Sequence, residues 1–444
     1  MSDLCFIDQD LKQLRKRLLP SDQEQCAVLY AAESKLDDGQ FRLLVREIEY
    51  PTEEDYIVQS IDRAELSPHF VARVSKRART KNLSLVFTHT HPGNHPPKFS
   101  PIDNGGERLL ADFLVGRAQH RNHAALVLSD GGVRARRLGT QEELRVIALG
   151  TRRKVEFQPH TESAEDSQVF DRQVRVFGAA GQRRLGTVSV GIVGLGGTGS
   201  IVSQQIVHLG ISRFLLIDPD LLEVTNLNRV VGATPADVGS PKVSVAARYI
   251  KNFNSEATLE AIQGDVVHDD VAQKLAQVDL ILCCTDSHGS RAVVQQVAYQ
   301  HLIPCIDVGS TIVQRDGEVA GIYGRVQLLS PSLPCLWCSE LLDASEVRRD
   351  MMIESERRLD PYIVGSREPA PSVISLNGTV VSLAVSMILA IIAEAPFNGT
   401  HLIYNGMAPS LRSVRGTPRA DCFICSKNGA LAWGHDRPLF TRRD

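Results

Sequence analysis

The feature that most constrains the fold of this chain is a glycine-rich turn, G-L-G-G-T-G, at residues 194–199. It follows an apolar segment, residues 187–193, that has the length and composition of a buried strand. A helical segment at 200–209 and a second apolar strand at 213–217 come directly after it. This order predicts the first βαβ unit of a mostly parallel, Rossmann-like, doubly wound α/β sheet.

The turn also indicates what this half of the chain binds. Gly194, Gly196, Gly197 and Gly199 let phosphate groups approach the N-terminus of the following helix. Asp218, about 20 residues further on, is placed to bind ribose hydroxyls. An NAD-dependent oxidoreductase shows the same two features, so the turn alone predicts a nucleotide and leaves the reaction open.

The residues after the second strand favour a triphosphate over a nicotinamide pair. Asn226, Arg229 and Lys242 bring an amide and two positive charges towards the predicted nucleotide. A further apolar strand at 279–284 then delivers Asp286 to the carboxyl edge of the sheet, where a carboxylate can hold Mg²⁺.

Four of the nine cysteines form two C-x-x-C pairs, Cys335 with Cys338 and Cys422 with Cys425. Two such pairs are typical of a structural tetrahedral zinc site, because all four positions around the metal are filled by protein. A disulfide or redox role, and a chance pairing of unrelated cysteines, are the alternatives.

On these residues the segment 171–426 resembles the ThiF/MoeB-like family of adenylyltransferases, which activate ubiquitin-like and sulfur-carrier proteins. The resemblance implies MgATP and a homodimer in which the arginine of D-R-Q reaches the ATP of the partner subunit. The matching positions are Arg172 in D-R-Q, Asp218 and Asp220 in D-x-D, Asn226 and Arg229 in N-L-x-R, Lys242 in G-S-P-K and Asp286 in T-D-S.

The implied reaction is attack of a C-terminal glycine carboxylate on the α-phosphate of ATP, with Arg229 and Lys242 stabilising the developing charge. Family members that continue to a thioester carry a cysteine after the first C-x-x-C pair, but residues 339–420 contain none. We therefore expect the adenylate to pass directly to a partner nucleophile. An oxyester is the alternative. Its candidate acceptors are Ser366, Ser372 and Ser375. The remaining cysteines of this half, Cys283, Cys284 and Cys305, are expected in the core.

The first half reads as a separate α/β domain. We place a domain at 1–150, a polar linker at 151–168 and the adenylation domain at 169–444. Within the first domain, strands are expected near 26–32, 41–50 and 83–87, helices near 11–19, 71–79 and 103–116, and a hairpin around 130–132.

A second constellation follows the strand at 83–87. His89 and His91, separated by one residue, point the same way from a strand end and suit one metal ion. Asp103 supplies a third ligand and leaves the open position that catalytic zinc needs. Ser100 is placed to donate a hydrogen bond to a developing oxyanion, and Glu24 to accept a proton from the attacking water.

With Pro92, these residues resemble the JAB/MPN (JAMM) zinc metalloproteases, whose motif is a Glu, then H-x-H-P, then S-x-x-D. The resemblance implies zinc ligation by His89, His91 and Asp103, and cleavage of bonds to ubiquitin-like proteins. The spacing from His91 to Asp103 is one residue longer than is usual in the family. Glu33 is a rival for the role of general base, and His95 is expected on the surface.

Composition excludes several classes of function. The net charge of -3 gives no reason to expect nucleic-acid or membrane-surface binding. The N-terminus has no signal-peptide pattern and the cysteines suit a reducing compartment, so we expect a cytoplasmic protein. The apolar stretch 373–393 is interrupted by polar residues and predicts a buried core helix.

Three hypotheses remain. The first is a bifunctional enzyme that activates a ubiquitin-like protein and also processes or deconjugates it, acting beside a relative of conjugating enzymes. The second is activation and processing of a sulfur-carrier protein in cofactor or amino-acid biosynthesis. The third is a non-catalytic scaffold, which the full sets of polar site residues in both halves disfavour.

Overall fold

The computed structural model describes residues 1–117, 121–159, 168–353 and 371–442. The chain forms two compact units. The first is Met1–Ser163 with Gln300–Leu302 and Ala430–Pro438, and the second is Ala164–Tyr299 with Ile303–Gly429 and Leu439–Asp444. The sequence-based domain ranges were continuous, whereas the first unit also includes two short segments from far along the chain.

The first unit is built on a barrel-containing α/β arrangement. Its strands are β1 (Asp3–Ile7), β2 (Cys26–Lys35), β3 (Phe41–Glu49), β4 (Tyr56–Gln59), β5 (Ala64–Leu66), β6 (Ser84–Thr90), β7 (Ala124–Ser129), β8 (Gly132–Arg137), β9 (Glu143–Leu149) and β10 (Arg153–Phe157). Its helices are α1 (Asp8–Leu18), α2 (Pro68–Lys81) and α3 (Pro101–Val115). The main sheet has the order β1-β3-β2-β6-β7-β8-β9-β10, and an additional pairing of β1 with β9 closes it. Strands β4 and β5 form a separate two-stranded sheet.

Strand β2 is buried on both faces of the sheet. Ala27, Leu29 and Ala31 face one hydrophobic cluster, to which α1 contributes its leucines. Val28 and Tyr30 face a second cluster, which α2 and α3 cover. Because successive side chains of a strand point to opposite faces, a strand buried on both faces has a continuous apolar sequence.

Part of the predicted linker, residues 151–168, belongs to the sheet of the first unit. Residues 153–157 form β10, which pairs antiparallel with β9, so the prediction of a linker from residue 151 is wrong for this stretch. Its partner is strand β9, and the local sequence pattern of residues 153–157 does not predict this pairing. The hairpin predicted around 130–132 is confirmed, since Ser129 pairs with Gly132 between β7 and β8.

The second unit contains the glycine-rich turn. Its strands are β11 (Ser189–Val193), β12 (Arg213–Ile217), β13 (Thr258–Ile262), β14 (Leu280–Cys283), β15 (Cys305–Arg315), β16 (Glu318–Leu329), β17 (His401–Asn405) and β18 (Ser410–Ser413). Its helices are α4 (Asp171–Thr187), α5 (Gly199–His208), α6 (Lys242–Phe253), α7 (Asp269–Lys274), α8 (His288–Gln300), α9 (Ala344–Met351) and α10 (Ile374–Ile392).

The sheet of this unit has the order β13-β12-β11-β14-β15-β16-β17-β18. Strands β11 to β15 are parallel, and β16 to β18 add antiparallel pairs. The chain leaves β11 towards β12 on one side and later returns to β14 on the other. In open α/β sheets such a switch point opens a crevice at the carboxyl ends of the strands. The doubly wound prediction is therefore confirmed.

Helix α10 is long and apolar enough to cross a membrane by length and composition alone. In the structure, however, 56% of its most apolar 18-residue segment is buried inside the protein. Leu376, Val380 and Ile388 belong to the central hydrophobic cluster of the second unit, and the helix packs on α5, β15 and β16. The prediction of a buried core helix for residues 373–393 is confirmed.

Candidate functional site

The glycine-rich turn connects β11 to α5 at the switch point of the sheet. Gly194 has a φ of +88°, and a Cβ there would lie 2.8 Å from the carbonyl oxygen of Cys284. A Cβ at Gly199 would overlap the carbonyl oxygen of Gly194, whereas Gly196 has open space beside it. The turn therefore needs glycine for backbone conformation at one position and for close packing at another.

Asp218, at the end of β12, is tied to this turn. Its carboxylate accepts hydrogen bonds from the backbone N–H groups of Leu195 (2.6 Å) and Asp220 (2.9 Å). Burial raises the pKa of Asp218, although Lys242 and these hydrogen bonds act in the opposite direction. The side chain thus holds the loop in shape, and its predicted contact with ribose stays a prediction.

Two of the predicted cationic residues lie beside the same turn or its supporting loop. The aliphatic part of Arg229 borders Gly197, and its Nη1 donates to the carbonyl oxygen of Thr225 (2.7 Å). Lys242 Nζ lies 2.6 Å from Asp220 Oδ2. Asn226 is buried, and its Oδ1 accepts from the backbone N–H of Glu223 at 3.2 Å, which gives it a role in the loop itself.

Asp286 follows β14, whose last residue, Cys283, pairs with Val193 at the end of β11. The carboxylate is therefore at the same edge of the sheet as the glycine turn, as predicted. Arg172 is exposed in the first turn of α4, and its predicted reach into a partner subunit stays a prediction.

The four cysteines of the two C-x-x-C pairs come together. All four sulfur atoms lie within 4.8 Å of one another, with Cys335 and Cys422 at 3.5 Å and Cys338 and Cys425 at 3.6 Å. A tetrahedral zinc site with Zn–S bonds of about 2.3 Å requires sulfur atoms about 3.8 Å apart. The cluster fits a structural zinc ion. The other cysteines of this unit, Cys283, Cys284 and Cys305, are buried core residues, as expected.

In the first unit, His89, His91 and Asp103 also come together. His89 Nε2 lies 3.2 Å from His91 Nε2 and 3.3 Å from Asp103 Oδ1, and His91 Nε2 lies 3.6 Å from Asp103 Oδ2. Tetrahedral ligation with bonds of about 2.0–2.1 Å places ligand atoms about 3.3–3.4 Å apart. The three side chains therefore fit one zinc ion, and His95 is exposed outside this group.

Local hydrogen bonds set the position of Asp103. Ser100 is the N-cap of α3, and its Oγ accepts from the backbone N–H of Asp103 (3.2 Å), while Asp103 Oδ2 accepts from the backbone N–H of Ser100 (2.5 Å). Burial alone would raise the pKa of Asp103, but hydrogen bonds from His89 and His91 overcome it and hold the pKa well below its ordinary value. The carboxylate stays ionised, as a metal ligand must be.

The structure distinguishes the two candidates for the general base. Glu24 Oε1 lies 3.7 Å from His91 Nε2, and burial raises the pKa of Glu24. Glu33 accepts hydrogen bonds from Asn122, and it lies seven residues beyond Cys26, which pairs with His89. Seven residues of strand span about 23 Å. The position of Glu24, and not that of Glu33, suits proton transfer at this group.

Two residues near the histidines, Glu107 and Arg136, are not among the residues predicted from the sequence. Glu107 binds Arg136 through a buried ion pair (2.7 Å), and the Arg136 guanidinium lies 3.8 Å over the Phe99 ring. The Phe99 ring in turn lies 6.3 Å from that of His89. Glu107 is four residues after Asp103 on the same face of α3, which is the one hint that the sequence offered.

A cavity of about 560 Å³ opens beside the group formed by His89, His91 and Asp103. Its lining includes Glu24, Phe87, His89, Asp103 and Phe113.

The candidate oxyester serines differ in their surroundings. Ser372 Oγ accepts a hydrogen bond from Asn377 Nδ2 (3.1 Å), and Asn377 borders Gly197 of the turn. Ser375 is exposed at the start of α10. Ser366 lies outside the described residues.

Comparison with known proteins agrees with the fold of the second unit. The chain is 25% identical over 254 residues to the SAMP-activating enzyme E1 of Haloferax volcanii, covering 57% of this chain and 85% of that protein. It is 25% identical over 260 residues to the molybdopterin-synthase adenylyltransferase of Salmonella typhimurium, covering 58% and 96%. It is 34% identical over 161 residues to the sulfur carrier protein adenylyltransferase of Thermus thermophilus, covering 36% and 58%.

The model of the ThiF family matches residues 170–424, which is more than half of the chain, and leaves the first 169 residues outside the match. The matched range contains the glycine turn, the cationic residues beside it, Asp286 and three of the four clustered cysteines, and Cys425 lies one residue beyond it. The chain therefore belongs to the ThiF family.

Proposed function

We propose that this chain adenylates the C-terminal glycine of a ubiquitin-like protein with MgATP, and that its first unit is a JAB/MPN-type zinc hydrolase that processes or deconjugates the same protein. The observation that supports the adenylation is that Arg229 borders the glycine turn in a chain of the ThiF family. Lys242 pairs with Asp220 in the loop after β12, and Asp286 follows β14 at the sheet edge where the turn begins. The triangle of His89, His91 and Asp103 supports the hydrolase.

In the proposed adenylation, the glycine carboxylate of the partner attacks the α-phosphate of ATP and pyrophosphate leaves. Backbone N–H groups of the turn at the start of α5 hold phosphate oxygens. Arg229 and Lys242 neutralise charge that develops on the phosphates. Asp286 would hold Mg²⁺, which supplies further neutralisation of the triphosphate. Arg172 would act from the second subunit of a homodimer.

In the proposed hydrolysis, Glu24 accepts the proton of the attacking water and then passes it to the leaving amine. His89, His91 and Asp103 would hold a zinc ion, which would supply Lewis acidity at this position. The raised pKa of Glu24 suits this role, because a stronger base accepts the proton of water more readily and holds it for the second step. The Ser100 hydroxyl donates a hydrogen bond to the oxyanion that develops on the attacked carbonyl.

A sulfur-carrier protein is an equally supported partner. One of the relatives is a sulfur carrier protein adenylyltransferase, and both classes of substrate offer the same chemistry to the site. The neighbouring genes discriminate the two: a conjugating-enzyme relative favours protein modification, and a sulfurtransferase favours biosynthesis. Because residues 339–420 contain no cysteine, we propose that the adenylate goes directly to the next nucleophile.

Adenylation is tested by incubating the protein with MgATP and candidate ubiquitin-like proteins that end in glycine, followed by mass spectrometry of the acyl-adenylate. We expect Asp286→Ala to lower its formation at least about 100-fold, because charge on the phosphates is no longer neutralised. Asp270→Ala, an exposed aspartate in the first turn of α7, is the matched control. Unchanged adenylate formation by Asp286→Ala rejects the magnesium assignment.

A further inference from the structure

A buried ionic group lies next to the predicted nucleotide site without belonging to it. Asp307, on β15, is fully buried between Arg291 of α8 and Arg325 of β16. Arg291 Nε lies 3.3 Å from Asp307 Oδ1, and Arg325 Nη2 donates to Asp307 Oδ2. The group thus holds two guanidinium ions and one carboxylate.

The charges of this group do not balance. Burial would raise the pKa of Asp307, but Arg325 and Arg291 overcome it and hold the pKa below its ordinary value, so the carboxylate is ionised. Burial raises the pKa of the nearby Cys283 thiol well above its ordinary value, so this thiol stays neutral. Asp286, a second acid whose charge acts on Arg291, lies outside the group. Within the group itself, two guanidinium ions face a single carboxylate.

Both guanidinium groups border a glycine, Gly309. Gly309 pairs with Arg325 across β15 and β16 and is half-buried. A Cβ at Gly309 would lie 3.3 Å from Arg291 Nη2 and 3.4 Å from Arg325 Nη2. Arg325 Nη1 is buried, and no acceptor among the described residues hydrogen-bonds to it. We call the space at Gly309 between these two side chains the Gly309 notch.

The Gly309 notch is close to the glycine-rich turn. Ser310, the next residue, donates a hydrogen bond to Asn377 Oδ1 (2.9 Å). The Nδ2 atom of the same Asn377 side chain occupies the space that a side chain at Gly197 would fill. A single buried side chain therefore spans the distance from the notch strand to the turn where phosphates are expected.

We propose that the Gly309 notch binds the terminal carboxylate of the protein substrate, with one carboxylate oxygen between Arg291 Nη2 and Arg325 Nη2. This proposal rests on the proposed adenylation, for which the carboxylate must be held close to the α-phosphate. Hydrogen bonds between guanidinium and carboxylate are short and charge-assisted, and the unbalanced positive charge of the group strengthens them. A side chain at residue 309 would stand against the same two nitrogen atoms and block this binding.

The test uses Gly309→Ala, which fills the notch and leaves every charge in place. Two fluorescein-labelled hexapeptides ending in Gly-Gly are compared, one with a free carboxylate and one with a C-terminal amide, by fluorescence anisotropy on the full chain. We expect the wild type to prefer the carboxylate peptide at least about tenfold, since it alone forms the charge-assisted hydrogen bonds, and Gly309→Ala to lose this preference. Gly378→Ala, whose added methyl meets nothing within 4 Å, is the matched control.

Equal binding of the two peptides to the wild type, no binding of the carboxylate peptide at millimolar concentration, or an unchanged preference in Gly309→Ala each overturns the proposal. Binding of a fluorescent ATP analogue is measured in parallel as a check of folding, and we expect Gly309→Ala to leave it unchanged. If the preference is present but no acyl-adenylate forms with any candidate protein, the notch stands and the proposed adenylation fails. If adenylate forms and Gly309→Ala has no effect, the notch alone fails.

Discussion

His301 shows how one buried residue makes the stability of the first unit depend on pH. Its ring is fully buried, and Nδ1 lies 2.8 Å from Ser34 Oγ. Burial lowers the pKa of His301 well below its ordinary value, and His435, 4.7 Å away between ring centroids, and Arg42 act in the same direction. The folded protein therefore keeps this ring neutral at a pH where the unfolded chain binds a proton.

The sign of the effect follows from the lowered pKa. Below about pH 6.5 the unfolded state takes up a proton that the folded state does not, so the free energy of unfolding falls by up to ~1.4 kcal/mol per pH unit. Above that pH the contribution is constant. We expect His301→Gln, which keeps a hydrogen-bonding side chain, to remove this part of the slope in urea unfolding between pH 5 and 8. Identical slopes for the variant and the wild type contradict the assignment.

At the scale of elements, local patterns predicted those parts of the fold that neighbouring residues determine. Strand β11, the glycine turn and α5 follow one another within 20 residues, and the pattern of glycines in the turn is visible in the sequence. Strand β10 and the Glu107–Arg136 pair depend on partners that the sheet brings close, so local spacing does not identify either pairing. His89 and His91 were predictable because a strand places alternate side chains on one face.

The apolar face of helix α10 is expected to stabilise the core of the second unit. Ile388 is fully buried in the central cluster of the second unit, whereas Ser386 donates to a backbone carbonyl on the exposed face. We expect Ile388→Ala to lower the free energy of unfolding by about 2–5 kcal/mol through lost burial and a cavity. Ser386→Ala should change it by less than about 0.5 kcal/mol. Equal, small effects in urea unfolding would show that the helix is not packed as described.

At the scale of the whole molecule, residues distant in sequence complete the first unit. The guanidinium groups of Arg46 and Arg437 both lie over the Trp433 ring, 3.7 Å and 4.1 Å from its centroid, and Asp436 pairs with Arg121. Nothing in residues 430–438 marks them as part of a unit that begins at Met1, because the contacts that hold them are entirely tertiary. The same is true of the Gly309 notch, whose three residues come from two strands and a helix.

The proposed homodimer makes a prediction about mixed subunits. Arg172→Ala and Asp286→Ala should each be inactive in adenylation, but a mixed dimer contains one complete site, because the partner subunit supplies the intact Arg172. For random exchange in a two-fold symmetric dimer, an equal mixture should recover about a quarter of the wild-type activity. Pyrophosphate exchange measures this recovery. No recovery after verified subunit exchange contradicts the role of Arg172 in the partner's site.

The central claim is that one chain both frees and activates the same C-terminal glycine. The most direct test gives the protein a candidate ubiquitin-like partner with extra residues after the glycine, together with MgATP, and follows the acyl-adenylate by mass spectrometry. The account predicts adenylate from the wild type, cleaved product without adenylate from Asp286→Ala, and adenylate from His89→Ala only when the partner already ends in glycine. Adenylate formed equally well from the extended partner by His89→Ala would contradict it.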